Sequence, residues 1–386
     1  MAAVKHDRDI SILRAHRVRF TRDAFDPSNP ALADALAAED AHEPKLMAVI
    51  DRGFAERHPR LEADLRAYLA AHRARLGGLR LVGCRAVPGG EDVKNDLGYL
   101  EGLLGDIYRQ RLDRKSVVLA IGGGAVLDMV GFAAAVSHRG VRLVRMPTTT
   151  LAQCDSGVGV KNGVNMFGAK NMIGTFAVPW AVVNDLAWLR SLPMRDWRCG
   201  LAEAVKVALL KDPALFDQIA THADKLATRD EDLADTIWQR SAELHLDHIA
   251  RGGDPFEDLA ARPLDFGHWA AHQLEPMSGW TLRHGEAVAI GLAIDCHYAA
   301  RVGLLAPAVC DRVVTTLEAL GFSLDHDLLD RSGELMQGLE AFREHLGGEL
   351  TITLIRGVGE PVDVHVIGDT AMRDAIAALR PSGTAV

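Results

Sequence analysis

The apolar positions of this 386-residue chain fall into two regimes. From Lys45 to about Leu192, short and mostly apolar runs alternate with amphipathic stretches. Leu46–Asp51 (LMAVID), GLRLVGC up to Cys84, SVVLAIGGG up to Gly124, RLVRMPTT from Arg142 and AVVNDLAWL from Ala181 are each too short for an ordinary helix. They read as strands buried on both faces. Helical stretches of roughly 10 to 15 residues separate them, among them Asn95 to Arg111, and this alternation predicts a parallel α/β sheet. Ahead of it, Arg17 to Phe20 reads as a further strand, followed by a polar loop carrying Asp26-Pro27 and Asn29-Pro30.

Beyond Leu192 the period becomes that of helices. Amphipathic segments run from Trp197 to Leu210, Ala214 to Ala227, Glu231 to Ala250, Gly267 to Leu274 and Gly285 to Val302. One hairpin, LTITLIRGVGEPVDVHVI, interrupts them. The predicted fold class is therefore α/β plus α. An N-terminal Rossmann-like parallel-sheet domain is expected over residues 1–192 and a mostly helical domain over 193–386, meeting at Ser191-Leu192-Pro193. No internal repeat or low-complexity linker separates the halves, so close packing is expected, with ligands in the cleft between them.

Composition narrows the class. Apolar residues make up 48% and charged residues 25%, which predicts an ordered globular protein. A formal net charge of −9 argues against a nucleic-acid binder, which needs a basic face. The five cysteines are scattered, odd in number and never in CxxC spacing, so neither a disulfide framework nor a zinc ribbon is expected. The opening MAAVKHDRDI holds no signal-peptide core, and no run of about 18 apolar residues occurs. A cytoplasmic protein with no membrane contact is the expectation.

Four features could carry chemistry. Gly122-Gly123-Gly124 follows a strand and opens a helix, where backbone N–H groups can approach a pyrophosphate. The spacing is not GxGxxG, and a plain tight turn has the same sequence. The polar segment Pro147 to Lys170 reads as a loop set between apolar strands, with Asp155, Lys161 and Lys170 as candidates for substrate contact. Glu203 and Lys206 share a face of an otherwise apolar helix, either as a surface pair or as a buried site. Finally, DFGHWAAHQLEPMSGWTLRHGEAVAIG holds His268 and His272 four apart, with His284 just before an apolar helix. Two imidazoles and a carboxylate with open positions make an ordinary catalytic divalent site.

Taken together, these blocks resemble the 3-dehydroquinate synthase superfamily, the NAD-dependent sugar phosphate cyclases. The resemblance runs from about Lys45 to about Val366 and rests on PGGEDVK, AIGGGAVLDMVGFAAA, HRGVRLVRMPTTTLAQCDSGVGVKNGVN, GAKNMIGTF, GLAEAVK and DFGH…LRHGEAVAIG. It implies NAD on the Gly122, Gly123, Gly124 turn, with Asp51, Glu91, Lys94, Asp128, Thr148 and Thr149 at cofactor-contacting positions. It implies one divalent metal, zinc or cobalt, on Glu203, His268 and His284. Asp155, Lys161, Lys170, Asn171, Lys206 and His272 match substrate-pocket positions. Arg139 matches an arginine lent to the neighbouring subunit, which implies a homodimer. The implied reaction is intramolecular cyclisation of a seven-carbon sugar phosphate with phosphate elimination. NAD⁺ takes a hydride from a ring carbinol and later returns it, while the metal polarises the oxygens. Lys206 and Asp155 would position hydroxyls, and His272 would move a proton.

Departures from the family pattern bear on the substrate. Asp265 stands where 3-dehydroquinate synthases have Asn, and Ala261 where they place a carboxylate-binding arginine, with Arg262 one residue displaced. A further family lysine aligns with Asp247, and a C-terminal lysine pair is replaced around Arg343-Glu344-His345. Each loss removes a cation that would hold an anionic group. Asp265 is shared with the branch that cyclises sedoheptulose 7-phosphate to valiolones, although that branch usually lacks a histidine at the place of His272. A divergent, valiolone-type or secondary-metabolic substrate is therefore favoured. An authentic 3-dehydroquinate synthase is the alternative, and a metal- and NAD-dependent dehydrogenase of the glycerol dehydrogenase type is the alternative from another class.

Overall fold

Along the first half of the chain, β1 (Val18–Thr21) and the short helix α1 (Ala31–Leu36) precede β2 (Lys45–Asp51), α2 (Arg52–Arg57), α3 (Leu61–Ala71) and β3 (Arg80–Val87). Then come α4 (Asp92–Asn95), α5 (Leu97–Arg109), β4 (Val117–Gly122), α6 (Gly124–Val136), β5 (Arg142–Pro147), the hairpin of β6 (Lys161–Met166) and β7 (Ala169–Phe176), and β8 (Ala181–Asp185). The structure, a computed structural model, describes residues 7–8, 10, 12–37, 43–167, 169–252, 263–345 and 348–380.

Six strands form one sheet in the order β1-β8-β5-β4-β2-β3, with every neighbouring pair parallel. Alternate residues of β2 serve opposite cores. Leu46, Ala48 and Ile50 pack with Phe54, Leu65 and Tyr68, whereas Met47 and Val49 pack with Leu103, Val126 and Met129. Helices α1 to α3 thus cover one face and α5 and α6 the other, which is why the strands read as continuous apolar runs. From β2 the chain passes to β3 on one side, and β4 lies on the other. The winding therefore reverses between β2 and β4, whose carboxyl ends carry Asp51 and Gly122. Sheets of this kind take ligands at that point.

The second half contains α7 (Met194–Lys211), α8 (Pro213–Thr221), α9 (Ala223–Ala227), α10 (Glu231–Arg251), α11 (His268–Met277), α12 (His284–Arg301), α13 (Pro307–Ala319), α14 (Ser332–Leu335) and α15 (Gln337–His345). The predicted hairpin follows as β9 (Ile352–Gly357) and β10 (Glu360–Val364), ahead of α16 (Asp369–Ala377). Helices α7 and α12 pack on each other and are buried on nearly all sides. Their core reaches back to Leu186, Leu189 and Leu192. Among the described residues no helix is long and apolar enough to cross a membrane. All five cysteines are free thiols.

Several elements differ from the sequence reading. The Asn95–Arg111 helix breaks at Asp96, whose carboxylate leaves the helical path to cap α5 at Gly98 N. The Ala214–Ala227 helix breaks at His222. The polar stretch after β1 contains α1, whose Leu32, Ala33, Ala35 and Leu36 are buried. The segment Pro147 to Lys170 is not one loop: a π-helical turn spans Ala152–Ser156, and Lys161 begins the β6–β7 hairpin. That hairpin packs on α6 and α4. Its Asn and Gly residues, poor strand formers, hide the alternation that would have marked it.

Candidate active site

Glu203 and Lys206 lie one turn apart on α7, and both are buried. An isolated buried charge is costly, so each needs a counterion. Lys206 Nζ lies 2.5 Å from Glu203 Oε2 and 3.7 Å from Asp155 Oδ2. Burial works to strip the lysine of its proton, but Asp155 and Glu203 outweigh it and hold the ammonium charged, above the usual lysine range.

Two histidines close over Glu203. His268 opens α11 behind Gly267, whose φ of 76° favours glycine and where a Cβ would sit 2.8 Å from Leu292 N. His284 opens α12. Their Nε2 atoms lie 3.7 Å and 3.3 Å from Glu203 Oε1, and one donor atom from each of the three residues falls within 4.8 Å of the others. Each imidazole has Nδ1 engaged elsewhere: His268 at the Phe266 carbonyl, 3.0 Å away, and His284 at Glu275 Oε2, 3.2 Å away. Glu203 Oε1 is buried and receives no well-formed hydrogen bond among the described residues. A buried acceptor of that kind costs free energy until something binds it. One carboxylate and two imidazole nitrogens suit a divalent zinc or cobalt ion, so the residues present fit the metal. Burial and Lys206 push His268 well below the usual histidine range, toward the neutral form that ligates. At His284 burial is outweighed by Glu275 and Glu203, which pull it up to about 9.

The surrounding helices fix these side chains. Glu286 accepts from Arg283 N at 2.9 Å and takes Arg195 of α7 through two contacts of 2.7 Å, pinning the start of α12. Gly285 lets α12 approach α7, since a Cβ there would sit 2.4 Å from the Cys199 carbonyl. Buried Asp295 steadies α11, accepting from Gly267 N at 2.9 Å and Trp269 Nε1 at 2.8 Å. The His272 ring lies 5.4 Å from that of His268 and 6.1 Å from that of His284.

Beyond the trio, Glu275 takes Lys170 Nζ on both oxygens, at 3.0 Å and 2.9 Å, and Lys170 also lies 3.4 Å from Glu91 Oε1. Asp155, in the π-helical turn, meets His245 Nδ1 at 2.5 Å. Burial works to raise its carboxyl pKa, but Lys206 and His245 hold it well below the usual carboxylate range. Behind Asp155, fully buried Arg145 donates to the carbonyls of Gly157, Gly159 and Lys161 at 3.1, 2.7 and 3.0 Å and to Asn162 Oδ1 at 2.7 Å.

The strand ends form a second region. None of the three glycines has a left-handed φ; they are required for space. A Cβ on Gly122 would meet the Val126 side chain at 2.8 Å, and one on Gly124 the Ser156 hydroxyl at 2.7 Å. Gly123 caps α6 without any side-chain acceptor, so the first amides of α6 remain available to an anion. This bare helix start at the switch point fits a dinucleotide pyrophosphate. Asp51 caps α2 at Phe54 N (2.9 Å), Thr148 N bonds the Gly122 carbonyl (3.0 Å), and Thr149 Oγ1 accepts from Ala152 N (3.1 Å). Buried Lys94 pairs with Asp128 at 2.9 Å and bonds Asn171 Oδ1. Glu91 accepts from Asn165 Nδ2 at 3.0 Å.

The structure thus gathers Glu203, Lys206, Asp155, His268, His272, His284 and Lys170 in one cluster, and Lys94, Asp128 and Asn171 in another. Arg139 is exposed in the turn after α6, a helix of 13 residues and so about 20 Å from Gly124. Lys161 is exposed at the start of β6. Asp247, where a family lysine was expected, sits half exposed on α10 beside Arg251 at 3.3 Å; it is His245, two residues earlier, that reaches Asp155. Arg343 is exposed beside Glu340. Ala261 and Arg262 lie outside the described residues. Sequence reasoning missed Glu275, His245 and Arg145. Glu275 alone had a signal, lying three residues beyond His272 and seven beyond His268 on the same helix face.

Residues 84–199 match the family described as 3-dehydroquinate synthase N-terminal, and residues 200–342 the family described as 3-dehydroquinate synthase C-terminal. A 2-epi-5-epi-valiolone synthase of Streptomyces glaucescens is 36% identical over 377 residues, covering 95% of this chain and 92% of the relative. A 3-dehydroquinate synthase of Roseobacter denitrificans is 37% identical over 342 residues, covering 87% and 88%. The solved structure of a 2-epi-5-epi-valiolone synthase from Streptomyces hygroscopicus, with NAD⁺ and Zn²⁺ bound, shares the fold at a TM-score of 0.84 and 29% identity over 96% of this chain and 99% of that one. By these matches along nearly its whole length, the chain belongs to the 3-dehydroquinate synthase family of sugar phosphate cyclases.

Proposed function

We propose that this chain is an NAD- and zinc- or cobalt-dependent cyclase that closes a seven-carbon ketose phosphate into a carbocycle with loss of phosphate, and that its substrate carries no carboxylate. The observation that carries the reading is the buried Glu203–His268–His284 trio, with Lys206 and Asp155 beside it. The substrate preference rests on charge. Asp155, Glu203 and Asp265 act on Lys206, and Glu275 holds Lys170, so these two cations are already matched by acids. A further carboxylate on the substrate would meet repulsion there.

When bound, NAD would accept and return one hydride and the metal would polarise ring oxygens. Charged Lys206 donates to a substrate hydroxyl or to the departing oxygen. Asp155, kept ionised, accepts from a second hydroxyl. His272, beside both ligating imidazoles, carries a proton between substrate oxygens. Lys170 and Asn171 line the approach from the hairpin. Asp51, Glu91, Lys94, Asp128, Thr148 and Thr149 would hold the nucleotide on the glycine turn. The same reading keeps the two-domain plan, residues 1–192 for the nucleotide and 193–386 for the metal. It places the enzyme in the cytoplasm and makes it a homodimer, with exposed Arg139 serving the second copy.

Phosphate release from sedoheptulose 7-phosphate and from 3-deoxy-arabino-heptulosonate 7-phosphate, each with NAD⁺ and zinc or cobalt, tests this. Release from the first alone, with no net absorbance gain at 340 nm, is expected. Release from the second alone would make the chain a 3-dehydroquinate synthase. Net NADH formation without phosphate would make it a dehydrogenase.

A further inference from the structure

His284 belongs to two groups of residues that could hold a cation. One is Glu203, His268 and His284; the other is His272, Glu275 and His284. Contacts around Glu275 decide between them. Both of its oxygens receive Lys170 Nζ, at 3.0 Å and 2.9 Å, and Oε2 also faces His284 Nδ1 at 3.2 Å. The carboxylate of the second group is therefore already matched by an ammonium. The carboxylate is buried on α11. A carboxylate accepts and cannot donate, so the shared proton sits on His284 Nδ1. The other nitrogen, Nε2, faces Glu203 Oε1 at 3.3 Å and is the one placed to give its lone pair to a metal held there.

From this geometry we infer that Glu275 is a positioning residue: it fixes the tautomer and ring orientation of His284 as an Nε2 metal donor, and Lys170 holds it in place to do so. The inference deepens the metal site proposed above and rests on that reading. Lys170 is restrained in turn by Glu91, ahead of α4, so the chain of contacts runs from α12 through α11 and the β6–β7 hairpin to the nucleotide side. Metal-bound histidines hold their orientation through such partners, and losing one weakens metal binding about 10- to 100-fold.

Two substitutions separate orientation from charge. Glu275→Leu removes both charge and acceptor. Glu275→Gln removes the charge but keeps an oxygen that can accept from His284 Nδ1, while Lys170 retains Glu91. The measurement is zinc affinity by chelator competition on the full chain, with the visible spectrum of the cobalt-loaded protein as a second readout. Melting in excess chelator shows whether each metal-free variant is folded. The expected result is a loss of about 10- to 100-fold for Glu275→Leu, with an altered cobalt spectrum, and affinity within about threefold of the parent for Glu275→Gln. Equal losses in both variants would show that charge alone matters and would overturn the positioning role. Unchanged affinity in both would overturn it as well. If the parent chain binds zinc no better than a Glu203→Gln variant, the metal reading itself fails, a result distinct from either. Should Glu275→Leu not fold, Glu275→Gln still decides, since a 10-fold loss there overturns the inference.

Discussion

At the starts of α11 and α12 the molecule gathers charges that must be buried, whereas at the carboxyl ends of β2 and β4 it gathers backbone that must be left bare. The first region is made of side chains that pair with one another: Glu203 and Asp155 with Lys206, His245 with Asp155, Glu275 with Lys170 and His284. Removing one member strands the next. The second region is made of glycines and an uncapped helix start, where the critical quantity is space. A site built from charges fails by losing a group, and one built from backbone fails by gaining an atom.

The sharpest way to break this contrast is Glu203→Gln, which keeps volume and removes charge. Metal content after dialysis should collapse, and phosphate release should fall roughly 10³-fold, about 4 kcal/mol of barrier. NAD⁺ affinity by fluorescence titration should stay within about threefold; a parallel loss would mean that the two regions are one.

Next in size is a pH effect at Asp295, whose burial raises its pKa to about 7 against the hydrogen bonds from Trp269 and Gly267. The unfolded carboxyl releases its proton near its ordinary value of 3.8, while the folded one keeps it to about 7. In that window the folded state binds the extra proton, so stability falls as pH rises and levels off above it. Chemical denaturation of Asp295→Asn beside the parent should show the variant gaining relative stability from pH 4 to pH 8, by a few kcal/mol at most. A constant difference across that range would place the titration elsewhere.

Gly124→Val probes the other region. The added atoms meet the Ser156 hydroxyl, and overpacking of about 1–3 kcal/mol predicts NAD⁺ binding roughly 10- to 100-fold weaker, with zinc content unchanged. The smallest effect separates neighbours on α10. His245→Ala should raise KM about tenfold through loss of a charge-assisted bond to Asp155. Asp247→Ala should leave KM alone and cost no more than about 0.5 kcal/mol of stability. The reverse ranking would restore Asp247 as the functional position.

Much of this was legible in the sequence where a local pattern carried the information. The buried strands announced themselves because both faces are covered, and the histidines because helical spacing puts His268 and His272 on one side. The β6–β7 hairpin did not, because Asn162, Gly163, Asn165, Asn171 and Gly174 break the strand signature. Gly163 and Gly174 oppose each other so closely that a Cβ on Gly163 would lie 2.8 Å from the Ile173 carbonyl. His245 and Arg145 were invisible for another reason. Each acquires meaning only through a partner brought near by the fold, and a lone histidine on a helix or arginine in a strand has no spacing to betray it. Asp247 shows the converse, a residue aligned by position whose side chain the helix turns toward solvent.

Arg145 is a rivet in the wall of the site. Its buried guanidinium bonds carbonyl oxygens and one amide oxygen, and no carboxylate among the described residues. Peeling the Gly157–Lys161 segment away would leave a buried positive charge without its acceptors, so local opening there is expected to be costly. Backbone amides there should exchange with deuterium as slowly as those of the central strands, which would make this stretch as rigid as the sheet itself.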